Sequence, residues 1–461
     1  MELISSLGIN SGETDVSPNG GTTVFLAGDV LVPEGLDTPP IDPELRAVIR
    51  DADVSVCNLE GPVTADPEPI EKSGPLKHSA ANTPALLDQA GFDAVTLANN
   101  HAMDYAEQGL RVTIEQCRTN GIHPFGAGNS IQDALEPLHE RDGDAPLAIF
   151  NLCEREFGEA DTDRPGTAWI GHAAVESRIA DASAGPGSVI GVVHGGVEYV
   201  PLPPPHFRER CRRLIDLGVE LVVGHHPHVA QGWEKYGDGL IVYSLGNFYF
   251  EQPRRPQTQW GTTIAATFDE HGVSRVELDV IESRPREVSR VEGPSRESRL
   301  DHLQRIATIT QDDQDFEVHW QAQAVQIFHE RYAKWLRTGV GARPRHLLAH
   351  PSRILNVTEQ WNPDERNDEM LVLLNLVRND SHRAVIETAL EVETGTVPDR
   401  RTAEIETRVD ELLACTDDRR DERSRLDTLL AGVKRMFGRN SPHTRTEDSP
   451  SPSGLRSITQ K

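Results

Sequence analysis

The largely apolar run Val219 to Val223 stops abruptly at Gly224-His225-His226-Pro227-His228. A run this short, closed by a tight turn, predicts a buried strand. Three histidines in four positions predict more than packing, because neutral imidazole is the commonest side-chain metal ligand. A polar loop whose histidines merely cap the next element is the plainer alternative. The pattern recurs upstream. Thr22 to Gly28 ends at Asp29, Val54 to Asn58 leads into Leu59-Glu60-Gly61-Pro62, Asp93 to Ala98 leads into Asn99-Asn100-His101, and Ser188 to Val193 ends at His194-Gly195-Gly196. Ligand-type side chains at successive strand ends predict a layered α/β sheet that delivers its chemistry to one edge.

Between these runs lie stretches of helical spacing, Pro43 to Asp51, Thr83 to Ala90, Glu107 to Thr119 and Phe207 to Leu217, with Gly91, Gly121 and Gly218 as stops. Leu147 to Leu152 and Leu240 to Leu245 add strands, and Thr262 to Asp269 with Ser274 to Ile281 reads as a closing antiparallel pair turning at His271-Gly272. Strands alternating with helices predict an α/β domain over 22–283. Residues 1–21 are rich in Ser, Gly and Asn and are expected to be disordered. A charged linker is expected over 284–300, a mostly helical region over 301–415, and a basic amphipathic helix with a disordered tail over 416–461. In that last region Leu426, Leu429, Leu430, Val433, Met436 and Phe437 fall on one helical face, flanked by Arg423, Arg425, Lys434, Arg435 and Arg439. Such a helix over 423–439 suits an anionic membrane surface or a membrane synthase subunit, though a face packed on its own domain or a partner is the plainer reading.

The net charge of −27 argues against a nucleic-acid partner, which would need a basic footprint. Lys occurs only at 72, 77, 235, 334, 434 and 461, and the other 40 of the 46 basic residues are Arg. An acidic, Lys-poor surface suits a halophilic source, or simply an acidic soluble protein. The five cysteines are scattered, odd in number and form no CxxC pair, which argues against a disulfide framework or a cysteine metal site. No apolar run approaches the ~18 residues of a membrane span, and Met1 to Gly21 lacks the charged and apolar regions of a signal peptide. A cytoplasmic protein is the expectation, with the basic segment as a candidate peripheral membrane contact.

The donors collected at the strand ends are Asp29, Glu60, Asn100, His101, His194, His226 and His228. Mixed oxygen and nitrogen donors suit one or two divalent transition-metal ions (Mn, Fe or Zn) better than Ca or Mg. A carboxylate between two histidine-bearing loops can bridge a pair of ions ~3.5–4 Å apart. A histidine beside them that is not a ligand can carry a proton.

These residues stand in stretches that resemble the CapA family of poly-gamma-glutamate (capsule) synthesis proteins, within the calcineurin-like metallophosphoesterase superfamily. They are Phe25-Leu26-Ala27-Gly28-Asp29-Val30, Asn58-Leu59-Glu60-Gly61-Pro62, Leu97-Ala98-Asn99-Asn100-His101-Ala102-Met103-Asp104-Tyr105, Phe125-Gly126-Ala127-Gly128, His194-Gly195-Gly196-Val197-Glu198-Tyr199, Gly224-His225-His226-Pro227-His228-Val229 and Tyr243-Ser244-Leu245-Gly246-Asn247-Phe248. The resemblance implies a four-layer α/β/β/α metallophosphoesterase-like sandwich. It implies Asp29 and His228 on one ion, Asn100, His194 and His226 on the other, and Glu60 between them. It makes His101 the acid or transition-state stabiliser, oriented by Asp104, and Lys77, Glu198, Tyr199 and Asn247 the substrate side. Two positions depart from the wider phosphoesterase pattern. Leu31 stands two residues after Asp29, where a histidine ligand is usual, and Ala102 follows His101 in place of an acid.

The function implied is a metal-dependent hydrolytic or transfer step in making, releasing or anchoring an anionic polyglutamate-like polymer. A general metallophosphoesterase acting on a phosphate ester, and a non-catalytic assembly subunit, are the alternatives.

Overall fold

In the computed structural model of the chain, the described residues are 21–64, 68–140, 145–252, 255–339 and 363–415. The expected disorder of residues 1–20 and the basic amphipathic segment over 423–439 lie outside them. Sixteen strands occur among the described residues. The first eight are β1 (Thr22–Leu31), β2 (Val54–Leu59), β3 (Ala94–Thr96), β4 (His123–Phe125), β5 (Ala127–Gly128), β6 (Leu138–Glu140), β7 (Leu147–Cys153) and β8 (Gly166–Thr167). The rest are β9 (Ser188–His194), β10 (Leu221–His225), β11 (Trp233–Tyr236), β12 (Gly239–Val242), β13 (Asn247–Phe250), β14 (Trp260–Asp269), β15 (Gly272–Arg284) and β16 (Glu287–Arg290).

Two large sheets result. One runs β16-β15-β14-β1-β2-β3-β4, with β13 alongside the far end of β1; the other runs β11-β12-β10-β9-β7-β6. Strands β1 to β4 are parallel, as are β7, β9, β10 and β12, while β14 to β16 are antiparallel additions. The central strands read as near-continuous apolar runs because both of their faces are covered. Val24, Leu26, Val54 and Val56 of the first sheet meet Ile190, Val192, Leu221 and Val223 of the second in one inter-sheet core. On its other face the first sheet packs Phe25, Ala27 and Cys57 against Leu45 and Ile49 of helix Pro43–Asp51, Leu86 of helix Thr83–Ala90 and Leu110 of helix Ala106–Thr119. The second sheet packs Val193 and Val222 against Ile179 of helix Ala174–Ser183 and Leu214 of helix Pro205–Asp216. The layer order is therefore α/β/β/α.

The local chemistry matches the punctuation in the sequence. Asp42 caps helix Pro43–Asp51 by accepting from the backbone N–H groups of Glu44 (2.8 Å) and Leu45 (3.0 Å), and Pro43 sits at the first turn. Gly91 closes helix Thr83–Ala90 in the left-handed region, as a C-terminal glycine does.

The span 284–300, expected as a charged linker, is not one. It holds the end of β15, then β16, then the first turns of helix Gly293–Gln311. Its charges occupy the outer positions of an edge strand and a helix, so a loop-like composition conceals regular structure. Leu303 of that helix packs with Trp260, Val280 and Val291. Helices Asp313–Ile327, Pro363–Arg378, Asp380–Thr394 and Ala403–Ala414 follow. Phe316, Trp320, Val385 and Leu412 form a core with Val197, Val200 and Leu202 of the loop after β9. No helix among the described residues is long and apolar enough to cross a membrane.

His302 of helix Gly293–Gln311 is buried edge-on to Trp260 (6.3 Å), and neither ring nitrogen has a hydrogen-bond partner. Burial, helped by the Arg305 charge, pulls it from the ordinary 6.5 down to about 4. The unfolded chain therefore takes up this proton first. The contribution is complete above pH 6.5 and is lost as pH falls through 4. It corresponds to roughly 3 kcal/mol. Urea unfolding at pH 7 and pH 4 should show a smaller acid loss in His302→Leu than in the wild type. Equal losses would place the acid sensitivity elsewhere.

Candidate metal centre

The site forms where the parallel strands of both sheets run out. A β-bulge aims Asp29. Ala27 and Asp29 of β1 face the consecutive residues Cys57 and Asn58 of β2, so Gly28 is the extra residue. Side chains alternate along a strand, yet Phe25, Ala27 and Val30 share one core. The bulge thus turns Asp29 away from that core and toward the inter-sheet edge. Only glycine fits at position 28, because a Cβ would stand 2.0 Å from the Gly246 carbonyl oxygen.

Asp29, Glu60 and His228 are all buried, and one ligand atom from each lies within 4.8 Å of the others. Nδ1 of His228 is 3.3 Å from Asp29 Oδ2, and its Nε2 is 3.4 Å from Glu60 Oε1. A second group adjoins them. His194 Nε2 lies 3.1 Å from Asn100 Oδ1 and 3.2 Å from His226 Nδ1. Asn58, which sequence reasoning passed over as part of a strand, links the two groups. Its Nδ2 donates to Asp29 Oδ1 (2.8 Å) and approaches His194 Nδ1 (3.4 Å), while its Oδ1 accepts from Thr96 and Asn99.

The turn carrying the histidines is strained. His226 and His228 have φ of +100° and +57°, and Tyr199, which faces them, has +63°. Non-glycine residues in this region cost of order 1–3 kcal/mol each and cluster at functional sites. Backbone bonds hold the turn, from Tyr199 N–H to Pro227 O (2.8 Å) and from Gly195 N–H to His225 O (3.0 Å).

The donor set fits a cation. Both oxygens of Glu60 are buried without a hydrogen-bond partner, a costly arrangement for a carboxylate unless something positive sits against it. Burial drives the Glu60 carboxyl well above the ordinary range, against the pull of His228. Burial would lower His228, but Glu60 and Asp29 raise it to about 9. Burial would also raise Asp29, yet its bond to His228 and the nearby His225 hold it below the ordinary range. The cluster thus holds protons where a cation would serve.

His101 stands beside this centre, its Nε2 3.9 Å from Glu60 Oε1 and its Nδ1 2.7 Å from Asp104 Oδ2. Asp104 also accepts from the Lys77 backbone N–H (2.7 Å) and pairs with Lys72. Lys72 Nζ lies 3.2 Å from His101 Nδ1 as well. The sequence offered Lys77 as the nearby cation and missed Lys72. Scarcity was the available signal: two of only six lysines fall in this one loop. Burial, followed by the Lys72 charge, lowers His101 to about 4.

Of the residues expected on the substrate side, Tyr199 stacks on His228 (5.7 Å) and carries Arg255 on its ring at 3.5 Å. Arg331 lies 6.0 Å from the same ring and donates to the Glu198 carbonyl oxygen (2.9 Å). The Lys77 ammonium lies over Phe250 (5.0 Å), itself against His228. Burial would raise the Glu198 carboxyl, but His228, His226, Arg331 and Arg255 bring it to about 2. Asn247 corrects the expectation. It is fully buried, its Oδ1 meets His228 Nδ1 (2.9 Å) and its Nδ2 donates to Thr258 O (3.1 Å), so both ends of its amide are taken up in orienting the His228 ring and the loop at Thr258.

The C-terminal helices reach the site through two buried acids. Glu156 hydrogen-bonds Asn100 and accepts from Asn379 Nδ2 (2.9 Å), the cap of helix Asp380–Thr394. Glu154 accepts from the Gly196 N–H (2.9 Å) and from the hydroxyl of Ser381.

The layers and the strand-end donors define a metallophosphoesterase-like sandwich. Residues 23–252 match the family described as bacterial capsule synthesis protein PGA_cap, and the chain belongs to that family through this region. It is 28% identical to the capsule biosynthesis protein CapA of Bacillus anthracis over 250 residues, 51% of this chain and 61% of that protein. It is 29% identical to the PGA biosynthesis protein CapA of Bacillus subtilis (strain 168) over 255 residues, 53% of this chain and 66% of that protein. The chain thus spans under two thirds of either relative. Two solved structures are also similar. One, a novel phosphatase of Mycoplasma pneumoniae, is 14% identical with TM-score 0.38 and covers 58% of this chain and 95% of its own. The other, a 5'-nucleotidase of Candida albicans, is 10% identical with TM-score 0.34 and covers 57% and 52%. At scores this low the fold assignment rests on the layer order itself.

Gly28→Ala should drive a methyl group into the Gly246 carbonyl and cost about 1–3 kcal/mol. Displacement of Asp29 should weaken divalent-ion binding with it. Wild-type stability in chemical denaturation, with wild-type ion affinity, would show that the bulge does not aim Asp29.

Proposed function

We propose that this chain performs a metal-dependent hydrolytic or transfer step on an anionic polymer of the polyglutamate type, during its synthesis, release or anchoring. The observation that carries the reading is the Glu60 carboxylate, buried without a hydrogen bond in the cluster with Asp29 and His228 and beside His101. Membership of a capsule-synthesis family supports the substrate class, as do the names of the two Bacillus relatives.

Asp29, Glu60 and His228 would hold one ion, and Asn100, His194 and His226 a second. When bound, a divalent ion supplies Lewis acidity to a carbonyl or phosphoryl oxygen. The chain's own residues do the rest. Asp104 fixes His101 through Nδ1 and leaves Nε2 facing the centre. Burial and Lys72 keep the ring neutral at pH 7, so Nε2 is a proton acceptor that can return the proton to a leaving group. Asn58 and Asn247 keep Asp29 and His228 in register. Tyr199 closes one side of the His228 ring against water.

An anionic substrate needs a local positive surface on a chain of net charge −27. Lys77, Arg255 and Arg331 supply one around Tyr199 and Phe250. Arg331 comes from beyond the family-matched region.

The test pairs metal content with a substrate screen. Purified wild-type protein should carry one to two divalent ions and cleave γ-linked polyglutamate, and His226→Ala should lose both properties. Arg331→Gln should raise KM for the polymer about tenfold, equivalent to roughly 1.4 kcal/mol, and leave kcat nearly unchanged. Turnover of phosphodiesters but not polyglutamate would replace the substrate class. A metal-free protein that complements a deletion would make it an assembly subunit.

A further inference from the structure

His225 is not among the ligands the resemblance implies, yet it is the most anomalous side chain at the centre. It is 2% exposed, and neither Nδ1 nor Nε2 has a hydrogen-bond partner. Leaving buried polar groups unpaired costs about 1–3 kcal/mol each, and such groups call for an unseen partner. His302 is isolated in the same way, but it packs on Trp260 and has no carboxylate ion pair.

The register says where His225 points. Leu221 and Val223 of β10 lie in the inter-sheet core, and Val222 lies in the outer one. Alternation carries His225 to the inter-sheet side, the side of Asp29. On β9, Ile190 and Val192 lie in the inter-sheet core and Val193 in the outer one, so His194 leaves by the same face. The two histidines are direct partners across the parallel pair. His225 Nδ1 lies 3.7 Å from Asp29 Oδ1. Two donors on one tetrahedral ion, each ~2.1 Å from it, stand about 3.4 Å apart. The spacing is therefore close to that of two ligands sharing an ion.

Leu31 supplies the complementary half. It occupies the place two residues after Asp29, and its side chain packs on Gly61, where an added Cβ would meet Leu31 Cδ1 at 2.6 Å. A leucine there offers an ion no donor.

We infer that His225 supplies a second nitrogen donor, beside His228, to the ion held by Asp29, in place of the imidazole that Leu31 does not provide. The ligand is a divalent transition-metal ion, reached from the end of β10 instead of the end of β1. The inference rests on the metal-centre reading of the proposed function, and the experiment separates the two.

Full-length wild type, His225→Ala, His225→Gln and the double variant Leu31→His/His225→Ala are titrated with Co2+, following its visible ligand-field absorption. Ion content is measured in parallel and folding is checked by circular dichroism. In the wild type, the Asp29 ion should bind with a spectrum of mixed nitrogen and oxygen ligation. Both single variants should bind it at least tenfold more weakly with an altered spectrum, and the double variant should recover much of the affinity. The Gln variant keeps the volume of the site, so a loss there reports ligation and not collapse. Wild-type affinity and spectrum in both single variants would overturn the inference and leave His225 a packed imidazole, with the metal centre intact. No Co2+ binding by the wild type would overturn the metal reading and this inference together.

Discussion

A carboxylate that is buried and makes no hydrogen bond is expensive, and Glu60 is held in that state by everything around it. Two carboxylates and four imidazoles, His194, His225, His226 and His228, are drawn from both sheets into one dry place. Like charges and orphaned donors in such a place do not stabilise a fold. The strained turn at His226 and His228 adds to the cost. What offsets these terms is the large inter-sheet core beneath, from Val24 and Leu26 to Val223 and Val242. The sandwich holds the donors close together although, without a cation, they would do better apart. Preorganisation of this sort is what a metal centre requires of its protein.

The helical region beyond residue 301 is part of that preorganisation. Asn379 caps its own helix and, through Glu156, steadies Asn100. Ser381 reaches Glu154, which fixes the glycine turn after His194. Arg331 lies against Tyr199 and Glu198. The loop after β9 is packed by the C-terminal helices through Val197, Val200 and Leu202. Residues 301–339 and 363–415 therefore wall the site and supply part of its charge.

The alternation of apolar runs with amphipathic stretches was enough to find most of the architecture. Helices Pro43–Asp51 and Thr83–Ala90 appear with the ends that Asp42, Pro43 and Gly91 dictate, because caps are local chemistry. Strand ends marked by Asp29, Glu60, Asn100, His194 and the histidine turn were legible for the same reason: the apolar run stops where the donor-type side chain begins. Short edge elements were not. β13 and β16 depend on the strands beside them: β13 is only four residues long, and the charged composition of β16 resembles loop. The arginine-rich stretch after β15 hid a strand and a helix for that reason.

The candidate positions Asp29, Glu60, Asn100, His194, His226 and His228 were thus legible in the sequence alone, since each sits in its own short-range motif. Their roles were decided by tertiary structure. Asn247 and Asn58 are both asparagines in strands, but only packing shows that one orients His228 and the other joins Asp29 to His194. Lys72 is one lysine in a proline-rich loop until folding sets it against Asp104 and His101. His225 is one of three clustered histidines until the pleat of β10 turns it inward beside Asp29. The physical reason is range. Caps, turns and periodicity act over a few residues, whereas burial, charge coupling and ligand geometry arise between residues as far apart in the chain as Asp29 and His228.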